Sequence, residues 1–258
     1  MNKKYFFFDI DGTLTDRQTN QVVPSAAEAL KQLQENGHFV AIATGRAHYK
    51  AITFMKEMEL QNMVCAGGGA LVYEHELLHN RPLDTEKARA IVNQADELGY
   101  GVLLMLDDSI KVWAKDNRFV EQVGERQEPT EYVIDPELNF NSLDTIYKIY
   151  LSIPKEEEEK LTLKDSLGNL RFVPEYLMFQ YDDKYTGIID MMRKINGNIE
   201  DVVVFGDDTN DLVMFHPQWT NIAMGNATAE LKEKADYVTQ ANVEDGIFNA
   251  CKRFGWIG

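Results

Sequence analysis

The residues whose types and spacing could do chemistry gather in four places. Asp9 and Asp11 stand two apart, directly after the aromatic run Tyr5 to Phe8 and before a Gly12-Thr13 turn. Thr44-Gly45-Arg46 follows the apolar run Phe39 to Ala43, and Asp207-Asp208-Thr209-Asn210-Asp211 follows Val202 to Gly206. Lys184 comes between a strand-like run, Leu177 to Tyr181, and a helical stretch from Thr186. Paired acids of this kind suit oxygen ligation of a divalent cation, or a nucleophilic carboxylate beside an acid–base partner. An acidic loop closing a strand would explain one pair, and acids capping a helix would explain one or two of the later carboxylates. Neither explains an acidic cluster that recurs at a second strand end. Asp207 and Asp211, four apart at a helix start, share a face, so Asp207 can reach a metal while Asp211 anchors it from behind. Asp208 is expected to face solvent. Lys184 reads either as a solvated surface lysine or as a cation held among carboxylates to bind a phosphoryl group.

Elements must bring these clusters together. Tyr5 to Phe8, Phe39 to Ala43 and Met63 to Ala66 read as short buried strands, with helices at Pro24 to Asn36 and around Ile52, Met55 and Leu60 between them. Gly67-Gly68-Gly69 and a strand over Ala70 to Tyr73 follow, and the polar turn Thr15 to Gln21 could lie over the site. After Pro82 the pattern changes. Helices are expected at Thr85 to Leu98, Asn117 to Arg126 and Lys155 to Ser166. Strands are expected at Val102 to Leu106, Ile110 to Ala114, Ile146 to Ile153, Leu170 to Val173 and Leu177 to Tyr181. The α/β alternation then resumes: helix Thr186 to Ile195, strand Val202 to Phe205, helix Leu212 to Phe215, strand Thr220 to Ala223, helix Glu230 to Lys234, strand Tyr237 to Thr239 and helix Asp245 to Phe254. The fold class is α/β: a Rossmann-like doubly wound parallel sheet core over 1–81 and 183–258, with an antiparallel α+β unit, 82–182, inserted into it. Loops at the carboxyl edge of such a sheet converge, so the strand-end clusters become one site.

Bulk properties narrow the function. A formal charge of -16 and a pI near 4.7 disfavour nucleic acid and anionic membranes as partners. The same charge repels an anionic substrate unless a bound cation or local Lys and Arg reverse the field. Two cysteines, Cys65 and Cys251, both in apolar settings, fit a reducing cytoplasm better than a disulfide framework. The start lacks a signal peptide's long apolar region, and no apolar run reaches the roughly 20 residues of a membrane span. The five histidines are scattered without metal-ligand spacing.

Asp9-Ile10-Asp11-Gly12-Thr13, Thr44-Gly45-Arg46, Lys184 and Gly206 to Asp211, in that order, resemble the motifs of the haloacid dehalogenase-like (HAD) hydrolases. Ala223-Met224-Gly225-Asn226-Ala227 and Glu244-Asp245-Gly246 look like the tail of the Cof-type branch, and the insertion is similar to that branch's C2 cap. The resemblance implies a phosphatase acting on a small phosphorylated metabolite: a sugar phosphate, a nucleotide or a phosphorylated cofactor. It implies that Asp9 is the nucleophile and becomes an aspartyl phosphate, and that Asp11 protonates the leaving alkoxide and then helps deprotonate water. It implies Mg2+ held by the Asp9 and Asp207 carboxylates and the Asp11 backbone carbonyl. Thr44, Gly45, Lys184 and Asn210 would contact the phosphoryl oxygens, with Arg46 also on the substrate side and Asp211 behind the metal. Two positions depart from the pattern: Tyr185 stands where the family places Gly, and Gly68-Gly69-Ala70 replaces Asn-Gly-Ala. A phosphosugar mutase on a similar core is the neighbouring alternative. A phosphorylation-dependent receiver also uses Asp, Thr and Lys, but it is a shorter domain without an insertion. A binding protein with a dead site is a third reading, and it would call for replacement of Asp9 or Asp11. Substrate identity and oligomeric state are not legible here.

Overall fold

The computed structural model describes residues 2–126 and 128–258, which divide into two compact units, 1–80 with 183–258 and 81–182. Strand β1, Tyr5–Phe8, lies at the centre of the first unit. Phe6 and Phe8 pack into one apolar cluster and Phe7 into another, and all three are fully buried. A central parallel strand is covered on both faces, so its sequence shows no polar alternation.

The chain runs from β1 through α1 (Pro24–Glu35), β2 (Phe39–Ala43), α2 (His48–Glu57), β3 (Met63–Cys65), β4 (Ala70–Tyr73) and β5 (Glu76–Asn80). It leaves this unit and returns with α5 (Lys184–Lys194), β12 (Val202–Gly206), β13 (Thr220–Ala223), α6 (Ala229–Lys234), β14 (Tyr237–Val238) and α7 (Gly246–Arg253). The sheet order is β14-β13-β12-β1-β2-β3-β4-β5. Strands from β14 to β3 pair in parallel, and β4 and β5 add antiparallel. The sequence steps outward from β1 on one side and from β12 on the other, so the direction of winding reverses between them. Ligands of doubly wound sheets bind at the carboxyl ends of the strands flanking that reversal. The cluster holding Phe6 and Phe8 includes Leu30 and Leu33 of α1, Met55 of α2 and Ile247 of α7. The one holding Phe7 includes Ile188 and Met191 of α5 and Leu231 of α6.

The second unit comprises α3 (Thr85–Glu97), β6 (Val102–Met105), β7 (Lys111–Ala114), α4 (Arg118–Val123), β8 (Glu131–Ile134), β9 (Lys148–Leu151), β10 (Asn169–Val173) and β11 (Tyr176–Gln180). Its sheet order is β10-β11-β9-β6-β7-β8. Ala88, Ile91, Val92 and Ala95 of α3 supply one side of its core.

Several elements differ from the sequence reading. Strands β5 and β8 were not expected. β8 pairs parallel with β7, so the inserted sheet is not wholly antiparallel. The charged helix expected over Lys155 to Ser166 is instead two short 3-10 turns, Lys155–Lys160 and Lys164–Ser166. Lys155 to Lys160 carries no apolar stripe to bury, and in water a helix of this length is marginal without tertiary packing. The helix expected from Leu212 is a 3-10 helix that begins at Thr209. No helix of the described residues is long and apolar enough to cross a membrane.

Candidate active site

The Asp9 backbone N–H donates to the Phe205 carbonyl at 3.0 Å, so the ladder between β1 and β12 continues one residue past the strand. The Asp9 carboxylate is thereby held at the winding reversal, with the residue only 5% exposed. Asp207 follows the end of β12 directly, and Asp211 lies in the 3-10 helix Thr209–Met214. Carboxylate oxygens of Asp9, Asp207 and Asp211 lie within 4.8 Å of one another.

Lys184 joins them. It is fully buried, and its ammonium donates to Asp9 Oδ1 at 2.7 Å and to Asp211 Oδ1 at 2.6 Å. The sequence placed Lys184 ahead of a helix from Thr186; it is in fact the first residue of α5. The reason is the cap: Asp183 accepts from the Thr186 N–H at 2.9 Å, which starts the helix earlier. The Gly67 carbonyl accepts from the Asp183 N–H at 2.7 Å. Gly68 has φ +100°, and a Cβ there would lie 2.1 Å from the Asp183 carbonyl oxygen. The departure from Asn-Gly-Ala therefore puts a glycine, where the pattern has Asn, at the point where the start of α5 rests on the loop. The Tyr185 ring turns aside to stack on His216 and Trp219, with centroids 4.9 and 5.1 Å away.

The remaining side chains have defined partners. Asp211 Oδ2 accepts from the backbone N–H groups of Asp207 and Asp208 at 2.9 and 3.1 Å, which fixes the loop carrying both. Thr13 Oγ1 donates to Asp207 Oδ1 at 2.9 Å. Thr44 is buried, and its Oγ1 accepts from the Arg46 N–H at 3.2 Å. Gly45 beside it and Asn210 on the 3-10 helix are half-buried. Asp11 is half-exposed and faces Arg46, whose Nε and Nη2 donate to its two carboxylate oxygens at 2.9 and 2.5 Å. Asp208 corrects an expectation. It caps the 3-10 helix by accepting from the Thr209 N–H at 2.7 Å and also accepts from Arg17 at 2.7 Å, so it is not simply solvated.

Two residues, Arg17 and Asn242, escaped the sequence reading, and a third, Asn226, entered it only within the motif Ala223 to Ala227, without a role. Arg17, in the polar turn, donates to Asp207 Oδ2 at 2.8 Å. Asn226 donates to the Gly12 carbonyl at 2.8 Å, and Asn242 donates to the Thr15 carbonyl at 2.8 Å. The Asn242 N–H donates in turn to Asn226 Oδ1 at 3.0 Å. The segment around Asn226 thus clamps the loop after Asp11. A signal for Arg17 was present, as the one basic residue between Thr15 and Gln21, and for Asn226 in the motif around it; Asn242, whose partner Thr15 is more than two hundred residues away, left none.

The electrostatics follow from burial and crowding. Burial, then the nearby Asp211, pushes the Asp9 carboxyl up to about 8, although Lys184 pulls the other way. Burial and Asp211 likewise push Asp207 up to about 6, against the pull of Arg17 and Thr13. Burial alone would lower Lys184, but the charges of Asp211 and Asp9 win and hold its ammonium well above the usual lysine range. For Asp11, partial burial raises the carboxyl, yet Arg46, Lys50 and Lys184 bring it below the usual carboxylate range. Asp9, Asp207 and Asp211, crowded together with the buried Lys184 ammonium and the half-exposed Arg17, hold excess negative charge. A divalent cation with oxygen ligands would relieve that excess, so the donor set fits such an ion.

Residues 6–251 match the model of the haloacid dehalogenase-like hydrolase family. The chain belongs to that family. Among its relatives, the Bacillus subtilis protein YkrA is 32% identical over 258 residues, spanning 99% of each chain. The Escherichia coli pyridoxal phosphate phosphatase YbhA is 24% identical over 272 residues, covering 96% of this hydrolase and 97% of YbhA. Among solved structures, the HAD subclass IIB sugar phosphatase BT4131 superposes with a TM-score of 0.81 at 26% identity, covering 99% of this chain and 100% of that one. This HAD hydrolase is a phosphatase of the Cof type.

Proposed function

We propose that this HAD phosphatase hydrolyses a small phosphorylated metabolite through an aspartyl-phosphate intermediate, with Mg2+ as its cofactor. The observation that carries the reading is Lys184, a fully buried ammonium bonded to both Asp9 and Asp211 at the winding reversal. Burying an ion is costly, and a site that buries one among acids serves an anion whose charge must be countered. Asp9, Asp207 and the Asp11 backbone carbonyl are the groups assigned to the cation, which when bound supplies positive charge between carboxylates and phosphoryl oxygens.

In the first step, an Asp9 carboxylate oxygen attacks phosphorus, and the bond to the leaving oxygen breaks as Asp11 delivers a proton to it. In the second, Asp11 takes a proton from water, whose oxygen attacks the phosphorus of the aspartyl phosphate; the phosphorus–oxygen bond to Asp9 breaks, which restores the Asp9 carboxylate and releases inorganic phosphate. Thr44, the Gly45 backbone, Lys184 and Asn210 hold the phosphoryl oxygens. Arg46 grips Asp11 as a carboxylate in the structure. A phosphoryl group gives that fork a second anion to bind, and its departure would raise the proton affinity of Asp11 for the first step. The proposed nucleophile, acid–base and phosphoryl-binding groups all belong to the unit 1–80 with 183–258, so the inserted unit, the proposed cap, is assigned selection of the leaving group. Relatives named for pyridoxal phosphate and sugar phosphate hydrolysis support the substrate class. Cys65 and Cys251, both buried, are compatible with a reducing cytoplasm.

The test is phosphate release from a panel of sugar phosphates, nucleotides and pyridoxal phosphate, with chelator and then with Mg2+ restored. Turnover of at least one substrate, lost with chelator and regained with Mg2+, is expected. Full turnover without metal, or none from any monoester, overturns the reading.

A further inference from the structure

Asp207 is 2% exposed, yet its Oδ2 accepts from a side chain that is half in solvent, that of Arg17. The same nitrogen, Arg17 Nη2, also donates to Asp208 Oδ2 at 2.7 Å. The approach is tight. Gly12 has φ +96°, and a Cβ there would fall 2.2 Å from Asp207 Oδ2 and 2.4 Å from Arg17 Nε, so only glycine lets this guanidinium reach the buried carboxylate. Beside the contact lies a cavity of about 300 Å3 lined by Asp16, Arg17, Gln18, Asp208, Asn226 and Asn242, among others. Arg17 therefore has two anionic partners and room to favour either one.

We infer that Arg17 is a tethered cation that competes with the divalent metal for Asp207 Oδ2 and sets metal affinity, with Asp208 as the seat to which it withdraws when metal enters. The inference rests on the reading of Asp207 as a metal ligand. A guanidinium and a metal cannot share one carboxylate oxygen along the same approach, and an ion pair that must open first lowers the apparent affinity by the fraction of chains in which it is closed. Asp208 keeps Arg17 paired after it moves, so the swap exchanges one ion pair for another and exposes no lone charge. This makes Arg17 a residue that positions and tunes Asp207 and does not touch the substrate. It also sets the sign of the test, because a merely structural arginine would loosen metal binding on removal, whereas a competitor tightens it.

The experiment is calorimetric titration of the whole protein with MgCl2. Arg17→Gln is expected to tighten Mg2+ binding roughly two- to fivefold, the range for freeing a carboxylate from an ion pair that is exposed on one side. Asp208→Asn is expected to loosen binding while Arg17 is present and to do so much less in the Arg17→Gln background. Affinity unchanged or weakened in Arg17→Gln overturns the proposal, as does equal loosening by Asp208→Asn in both backgrounds, which would make Asp208 only a nearby charge. Asp207→Asn separates this from the parent reading. If that variant loses Mg2+ binding while Arg17→Gln matches wild type, the competition is wrong and the metal site stands. If Asp207→Asn binds Mg2+ as wild type does, the assignment of Asp207 to the metal fails, and the competition fails with it.

Discussion

Asp9 and Lys184 are the residues on which the proposed chemistry turns, and Asp9 can be changed with little change of shape. Asp9→Asn keeps the volume and an acceptor for Lys184 but offers a far weaker nucleophile. Turnover is expected to vanish in single-turnover phosphate release while circular dichroism stays native; activity within about tenfold of wild type would remove Asp9 from that role. Lys184→Ala should cost at least roughly a hundredfold in kcat, about 2.7 kcal/mol, as loss of one charged transition-state contact does. The variant also leaves Asp9 and Asp211 without their shared ammonium, so its metal-free form should be destabilised as well. Lys184→Arg should not restore the rate fully, because a planar fork does not fit the point between two carboxylates that a compact ammonium occupies. An alanine variant that matches wild type in steady-state kinetics would return Lys184 to a purely structural part.

At the scale of elements, the meeting of α5 with the glycine loop places Lys184. Gly68→Ala puts a Cβ on the Asp183 carbonyl and imposes a left-handed backbone on alanine. The expected cost is about 1–3 kcal/mol in a denaturant melt. A loss of kcat should accompany it, because a shift of roughly 1 Å in a positioned group can cost about a hundredfold. Unchanged stability together with unchanged kcat would show that the loop does not place Lys184. This contact also marks the limit of what the sequence reveals. Strands β1, β2, β4 and β13 were legible because short apolar runs bounded by polar clusters have few other readings in an α/β pattern. β5 and β8 were not, because Glu76–Asn80 and Glu131–Ile134 are short, partly exposed edge strands whose few apolar residues show neither a buried run nor a clear alternation. Asp9, Asp207 and Asp211 could be read as one cluster because each follows a strand end. Arg17 and the asparagine clamp could not, because polar side chains in turns carry no periodicity and their partners are set only by the folded backbone.

For the whole molecule, charge is the governing quantity. A chain of formal charge -16 that must bind an anion concentrates its local cations, Lys184, Arg46 and Arg17, against the site's acids. The proposed division of labour between the units is open to direct measurement: with residues 82–182 replaced by a short Gly-Ser linker, the remaining unit should hydrolyse p-nitrophenyl phosphate but lose its preference among metabolites. A soluble, folded chain of this kind that keeps the intact enzyme's ratio of kcat/KM values would show that the insertion does not select. The charge balance also predicts how stability responds to pH. Asp9 and Asp207 have folded-state values raised from 3.8 to about 8 and about 6, so between those limits the folded chain holds more protons than the unfolded one. Stability in metal-free buffer should therefore fall as pH rises through this window, since stability declines with pH wherever the native state binds more protons. Asp11, lowered by Arg46, acts at the acid end, where its contribution is lost as pH falls, and does not alter the slope near neutrality. A divalent cation competes with protons for the same carboxylates, so it binds more tightly once they have dissociated. The rise in Tm on adding Mg2+ should consequently be larger at about pH 8 than at about pH 6, by linkage of binding to folding. Scanning calorimetry with chelator and with excess Mg2+ at both pH values decides the matter. An Mg2+-induced shift that is equal at the two, or larger at the lower pH, would mean that the cation does not draw on Asp9 and Asp207.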